Sequence, residues 1–360
     1  MAAQPTGTDP ASAGAAALGE DIAAGLDALR GLGDVDIAPT PKDAVYREDK
    51  LVLYRYRPLE GQASQIPGSQ RIPLLICYAL VNRPYMLDLQ EDRSLIRGLL
   101  RRGIDVYLID WGTPDGADRY LELDDYINRY LHHCVAHVAA ASGTASINLL
   151  GVCQGGTFSL CYAAMHPERI RNLVTMVTPV DFKTSDNLLS KWVQGVDVDA
   201  LVRVSGNIPG ELLNYMFLSL MPFRLMSQKY AGIADIARDP VQLRNFLRME
   251  KWIFDSPDQA GEAFRQFIRW FYRENRLVAD TLRLGSKPVH LANITMPVLN
   301  VYATQDHLVP PASSTVLKDL VGTADYTPYA FSGGHIGIYV SSRAQKDLPA
   351  TISDWLRSRS

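Results

Sequence analysis

The sequence predicts an α/β protein: a doubly wound, mostly parallel sheet with a mostly helical segment inserted late in the chain. Three observations predict it. Apolar runs of strand length alternate with helical patterns from about residue 73 to residue 178. Between Thr178 and Val298 the alternation stops and the composition turns aromatic. Two more apolar runs then bring the strand pattern back. Parallel strands need crossovers of helix length, and right-handed crossovers wind helices onto both faces of the sheet.

The elements follow in order. Residues 1–40 are rich in Ala and Gly and read as a flexible tail, although Asp21 to Leu32 carries the pattern of a short amphipathic helix. Pro73 to Leu80 reads as a buried strand, and Leu95 to Arg102 as a short helix stopped by Gly103. Ile104 to Asp110 is the next strand, followed by the polar turn Trp111 to Gly116. Asp124 is placed to cap a helix running through Tyr126, Tyr130 and Val138. Strands are expected at Ile147 to Val152 and Arg171 to Thr178, with a helix at Thr157 to His166 between them, and again at Pro297 to Ala303 and Tyr326 to Phe331. The organisation is therefore a tail over 1–40, a core from 41–180 and 291–360, and an insertion over 181–290. Aromatics such as Trp192, Tyr215, Trp252, Phe267 and Trp270 mark the insertion, and most of them are expected to pack its own interior.

Bulk properties narrow the class of function. The chain has 360 residues, 47% of them hydrophobic and 21% charged, as in an ordinary globular protein. A net charge of -3 gives no electrostatic reason to expect nucleic acid. No apolar run reaches the roughly 18 residues of a membrane span, and Met1 to Gly19 lacks the pattern of a signal peptide. The four cysteines show no paired spacing, which points to free thiols in a reducing compartment. A soluble, cytoplasmic enzyme is expected.

The chemistry is concentrated in Asn148-Leu149-Leu150-Gly151-Val152-Cys153-Gln154-Gly155-Gly156. An apolar strand feeds a Gly-x-Cys-x-Gly-Gly turn and then a helix, the layout of a nucleophile elbow with cysteine in place of serine. The turn strains the backbone of its central residue and lifts that side chain clear of the sheet, to a helix N-terminus where negative charge is favoured. An elbow nucleophile requires an acid and a histidine, in that chain order, on loops after late strands. Asp306 follows the strand ending at Ala303, and His335 follows the strand ending at Phe331, inside Ser332-Gly333-Gly334-His335-Ile336-Gly337. The fold expected is therefore α/β-hydrolase-like, with the insertion as a cap above the strand ends. Cys153, Asp306 and His335 form the expected catalytic triad. The oxyanion hole is expected from the Gln154 backbone N–H and a second N–H at Val81 or Asn82, on the loop after the strand ending near Leu80. Asn82 and His307 are candidate substrate contacts, although His307 could equally pack its loop. Cys77, Cys134 and Cys161 lack the elbow and read as core thiols. His133 and His137 lie one helical turn apart beside His132 and Cys134, but no third ligand has a telling spacing, and no metal is expected.

Cysteine in the elbow favours acyl transfer from a thioester. Exchange from one thioester to another is nearly neutral, and the acyl group keeps its reactivity for an acceptor. A serine would hold it as a less reactive oxyester.

From Asp43 onwards the chain resembles the catalytic subunit of class III polyhydroxyalkanoate synthases. The resemblance rests on Lys50 to Tyr56, Tyr78 to Tyr85, Gly151 to Gly156, Thr178 to Phe182, Trp252 to Pro257, Gln305 to Pro310 and Gly333 to Gly337, together with the short length. It implies a short-chain (R)-3-hydroxyacyl-coenzyme A donor, typically 3-hydroxybutyryl, and an insoluble polyester product. Cys153 would carry the acyl group and His335 would act as base. Asp306 would orient the histidine and aid elongation at the hydroxyl. No cofactor is implied. A second, activating subunit is implied, with the enzyme at the surface of cytoplasmic polymer granules, and a homo-oligomer is expected. Among the basic residues of the insertion, Arg244, Arg248, Lys251, Arg265, Arg269, Arg273 and Arg276, some could meet coenzyme A phosphates, while most read as a solvated face. Two rivals remain: a cysteine-nucleophile thioesterase or dienelactone-type hydrolase of the same fold, and a non-catalytic granule scaffold.

Overall fold

The computed structural model describes residues 35–60, 72–219 and 239–360. The expectations for Met1 to Asp34, and for Phe223 and Tyr230 within the insertion, lie outside the described residues.

Eight strands form one sheet: β1 (Lys42–Glu48), β2 (Leu51–Tyr56), β3 (Ile72–Cys77), β4 (Ile104–Asp110), β5 (Ile147–Val152), β6 (Ile170–Met176), β7 (Val298–Ala303) and β8 (Tyr326–Phe331). Their spatial order is β1-β2-β4-β3-β5-β6-β7-β8. From β4 to β8 all neighbours are parallel, while β2 runs against both β1 and β4. The central strands are apolar runs because they are covered on both faces: every residue of β5 is buried. β1 and β2 lie outside the strands expected from the sequence. β1 is half polar, KDAVYRE, as suits an edge with one wet face, and Asp49 at φ 50 turns it back onto β2.

Helix α1 (Leu95–Arg101) is capped by the Ser94 hydroxyl, which accepts from the Arg97 N–H at 2.9 Å. Next is a π-helical stretch, Asp125–Leu131, that continues as α2 (His132–Ser142). Asp124 does not cap it: its backbone is already helical and its carboxylate accepts from the Asn128 side chain at 2.6 Å. The neighbouring Asp125 carboxylate accepts instead from the Glu122 N–H, at 2.8 Å. After β5 comes α3 (Gln154–Met165), which starts earlier than expected because the turn at Cys153 leaves no linker. The long α9 (Ser342–Arg357) packs with α1 on one face of the sheet. The π-helical stretch, α2 and α3 cover the other. A Cβ on Gly98 of α1 would strike the ring of Pro349 in α9, so the two helices approach as closely as they do because that residue is glycine.

Between β6 and β7 lie α4 (Leu188–Val193), α5 (Val198–Ser205), α6 (Gly210–Ser219), α7 (Pro240–Phe254) and α8 (Gly261–Phe267), the last continuing into a π-helical stretch, Ile268–Arg273. Asp239 caps α7, accepting from the Val241 and Gln242 N–H groups, with Pro240 at the first helical position. Phe267 sits edge-on to Phe158 of α3 at 6.1 Å and to Phe182 at 5.7 Å, so aromatic packing joins this segment to the helix behind the elbow. Tyr215 and Phe254 are exposed, outside that packing.

The sheet interior also holds a polar chain. Asn148 donates to the Pro73 carbonyl at 2.9 Å and accepts from Asn172 at 2.8 Å. In β7 the buried Asn300 donates to the Ser314 carbonyl and the Tyr326 hydroxyl, and accepts from the hydroxyls of Thr175 and Ser314. Both side-chain atoms of Asn148 and of Asn300 are thereby paired within the protein.

Candidate active site

Cys153 stands between β5 and α3 with φ 53 and ψ −124, a backbone conformation that non-glycine residues rarely adopt. Its N–H donates to the Met176 carbonyl at 2.9 Å, and its carbonyl accepts from the Gly156 N–H at 2.9 Å. Space dictates the neighbours. A Cβ at Gly155 would collide with the backbone oxygens of Cys77 and Tyr78, which no rotamer change could relieve. Val177, beside the elbow at the end of β6, is also held at positive φ, 44°. Two adjacent strained residues mark this edge of the sheet.

The structure brings the other two triad candidates together. Asp306 is buried, and its Oδ2 accepts from His335 Nδ1 at 2.7 Å. Its Oδ1 accepts from the backbone N–H groups of Leu308 and Val309 at 2.9 and 2.8 Å. Both carboxylate oxygens are engaged, so the aspartate fixes the imidazole with Nδ1 as donor and turns Nε2 outward. His335 interacts in turn with the Cys153 thiol. Burial acts to lower the His335 pKa, but the Asp306 charge and hydrogen bond, reinforced by Cys153, outweigh it and push it up to about 10. The arrangement holds a positively charged imidazole beside the Cys153 sulfur.

Gln154 is buried, and its side-chain oxygen accepts from the Leu80 N–H at 3.0 Å. This bond ties the loop after β3 to the start of α3. Among the described residues nothing accepts from the Val81 N–H, the next along that loop. The Asn82 amide nitrogen donates to the Ser256 hydroxyl at 2.8 Å and the Trp252 carbonyl at 3.3 Å. His307 is exposed, next to Asp306 on the loop after β7.

Three further residues were missed. The buried tyrosines Tyr78, Tyr272 and Tyr339 lie close enough to Cys153 to feel its charge. Burial first, and charge in the site after it, raise the pKa of each. Tyr339 also meets the His335 ring edge-on at 5.9 Å. Tyr78 directly follows β3 and Tyr339 lies four residues past His335, so proximity to expected site loops was the available signal.

The remaining candidates lie elsewhere. Cys77, Cys134 and Cys161 are buried free thiols, and burial pushes the Cys77 thiol up to about 12. His133 pairs with Glu48 of β1 at 2.8 Å, His132 with the Tyr162 hydroxyl at 3.0 Å, and the His137 ring lies against Tyr46. A polar cavity of about 310 Å³, lined by Asp124, Asn128, His132, His166 and Lys287, opens near the C-terminal end of α3 and includes none of the triad. Several basic residues of the insertion have partners within the chain: Arg248 holds Asp36, Arg269 holds Asp199, and Arg273 donates to the Val196 carbonyl.

A family model described as the alpha/beta hydrolase fold matches residues 72–340. The chain is 60% identical over 335 residues to the poly(3-hydroxyalkanoate) polymerase subunit PhaC of Allochromatium vinosum, covering 93% of each. It is 57% identical to the subunit of the same name from Thiocystis violacea, again covering 93% of each. The chain belongs to the PhaC polymerase family. Among solved structures, the monoacylglycerol lipase of Paleococcus ferrophilus matches 80% of this chain and 95% of its own, at 15% identity and a TM-score of 0.50. That likeness concerns the fold alone: this PhaC family member is an α/β hydrolase in architecture. No helix among its described residues is long and apolar enough to cross a membrane.

Proposed function

We propose that this chain is the catalytic subunit of a class III synthase, polymerising short-chain (R)-3-hydroxyacyl-coenzyme A, typically the 3-hydroxybutyryl thioester, with release of coenzyme A. The observation that carries the reading is a cysteine in the strained elbow, served by a histidine hydrogen-bonded to a buried carboxylate, in a chain 60% identical to a polymerase subunit.

Cys153, as thiolate, adds to the thioester carbonyl. The oxyanion receives the backbone N–H groups of Gln154 and Val81. The carbon–sulfur bond to coenzyme A breaks, and its sulfur leaves with the proton held on His335 Nε2. The neutral imidazole then takes the proton of a 3-hydroxyl as that oxygen attacks the acyl-cysteine carbonyl. An ester forms, and the Cys153 sulfur departs as thiolate beside a recharged imidazolium. Asp306 acts through the imidazole, holding its tautomer and its charge. The helices over 181–290 form a cap above this centre. A second subunit activates the enzyme, copies of the chain associate, and the complex works at the surface of cytoplasmic polymer granules.

The decisive assay supplies 3-hydroxybutyryl-coenzyme A and measures coenzyme A, free 3-hydroxybutyrate and precipitated polyester, with and without a candidate second subunit. Coenzyme A release matched by polyester is expected. Release matched by free hydroxy acid would make the chain a hydrolase. Cys153→Ala is expected to abolish release while leaving the fold intact, and Cys153→Ser to leave little polymer. A scaffold would release no coenzyme A.

A further inference from the structure

The loop that carries the second oxyanion donor is held from two sides. On one side the Leu80 N–H is tied to the Gln154 side chain, and so to the elbow helix. On the other, residues 82–85 are gripped by the C-terminal end of α7 in the insertion. The Asn82 amide donates to the Ser256 hydroxyl at 2.8 Å and reaches the Trp252 carbonyl at 3.3 Å. The Trp252 indole N–H donates back to the Arg83 carbonyl at 2.9 Å. The Tyr85 hydroxyl donates to the Asp255 carboxylate at 3.1 Å.

Ser256 is itself anchored. Its hydroxyl donates to the Asn214 side chain of α6, and a Cβ at Gly210 would strike its carbonyl oxygen. Asn82 also holds a left-handed backbone, φ 60. Such a conformation costs an asparagine little, but it persists where surroundings over-determine it. Val81 lies between the two anchors, so the orientation of its peptide N–H depends on both.

We propose that Asn82 is a positioning residue, through which the insertion aims the Val81 N–H at the reacting carbonyl. This rests on the acyl-cysteine reading above. A shift of α7 would then disarm the oxyanion hole while leaving the thiol and its imidazole untouched.

The test uses the full chain with its activating subunit, two disruptive variants and one rescue variant. Asn82→Gly keeps the left-handed backbone accessible and removes the amide. Ser256→Ala removes the acceptor and leaves Asn82 in place, and Ser256→Thr restores a hydroxyl. Two rates are measured: coenzyme A release from 3-hydroxybutyryl-coenzyme A, resolved into kcat and KM, and alkylation of Cys153 by iodoacetamide. Alkylation needs the thiolate but no oxyanion hole. For Asn82→Gly and Ser256→Ala, kcat should fall by roughly 10-fold to 100-fold, toward the loss seen when an oxyanion donor is removed. KM should stay within about two-fold, by the same separation of transition-state from uniform binding. Alkylation should match wild type, and Ser256→Thr should recover most of kcat. Wild-type kcat in both variants would overturn the proposal. So would a parallel loss of alkylation, which signals general disorder of the site, or a rise confined to KM, which would make Asn82 a substrate contact. If Cys153→Ala itself still releases coenzyme A, the acyl-cysteine reading fails first, and the two failures are thereby distinguished.

Discussion

At the scale of single residues, the site is governed by one proton. His335 is 11% exposed and its partner Asp306 carboxylate is fully enclosed, so the charge between them is poorly screened. Its folded pKa, about 10, stands above the ordinary 6.5. A group raised in this way stabilises the fold fully below the ordinary value, and that contribution is lost as pH climbs through about 10. Resistance to urea should therefore fall from pH 6.5 to pH 10 more steeply in wild type than in Asp306→Asn, where the imidazole loses the carboxylate. Equal slopes in the two proteins would refute the account. The same pair should set how readily Cys153 is alkylated, so iodoacetamide labelling at pH 6 should drop at least about ten-fold in His335→Gln, in line with the weight of a positioned base.

At the scale of elements, the elbow depends on close approach. Gly155→Ala would drive a methyl group into the carbonyl oxygens at the end of β3, a backbone contact without slack. A loss of at least about 2 kcal/mol in urea unfolding is expected, with most of the thiol labelling gone. A variant as stable as wild type would show that α3 can slide. Strands rich in apolar or aromatic residues were legible in the sequence: Ile104–Asp110, Ile147–Val152 and Tyr326–Phe331 all appear with the expected bounds. Apolar periodicity is written by burial, and these strands are buried or border the core. The hairpin of β1 and β2 escaped notice because a half-wet edge strand reads as mixed polarity. The Asp124 cap failed for a local reason. The helix begins before it, and a second acid, Asp125, captures the free N–H instead.

At the scale of the whole molecule, what escaped the sequence is long-range partnership. The chain order of Cys153, Asp306 and His335 was legible because topology alone imposes it on this fold. The tie between Asn82 and Ser256, 174 positions apart, was not. Neither residue type advertises its partner. Asn300 is a second instance. An amide inside a central strand looks like a mistake until β6, β8 and the segment after β7 are seen to meet it from three directions. Asn300→Leu should cost about 3 kcal/mol, because it strands several hydroxyls in a dry interior. It should also slow iodoacetamide labelling. A leucine variant at full stability would mean that those groups find other partners.

The Asn300 amide also acts as an index mark. β7 joins the sheet only after the long excursion through α4–α8, and it carries Asp306 on the loop just past its end. Sliding the strand by one residue would carry that loop about 3.3 Å along the sheet, farther than a hydrogen bond can stretch. Acid and base would then part company. Spacing between the carboxylate and the imidazole is thus calibrated from deep within the β-layer, by a single buried side chain.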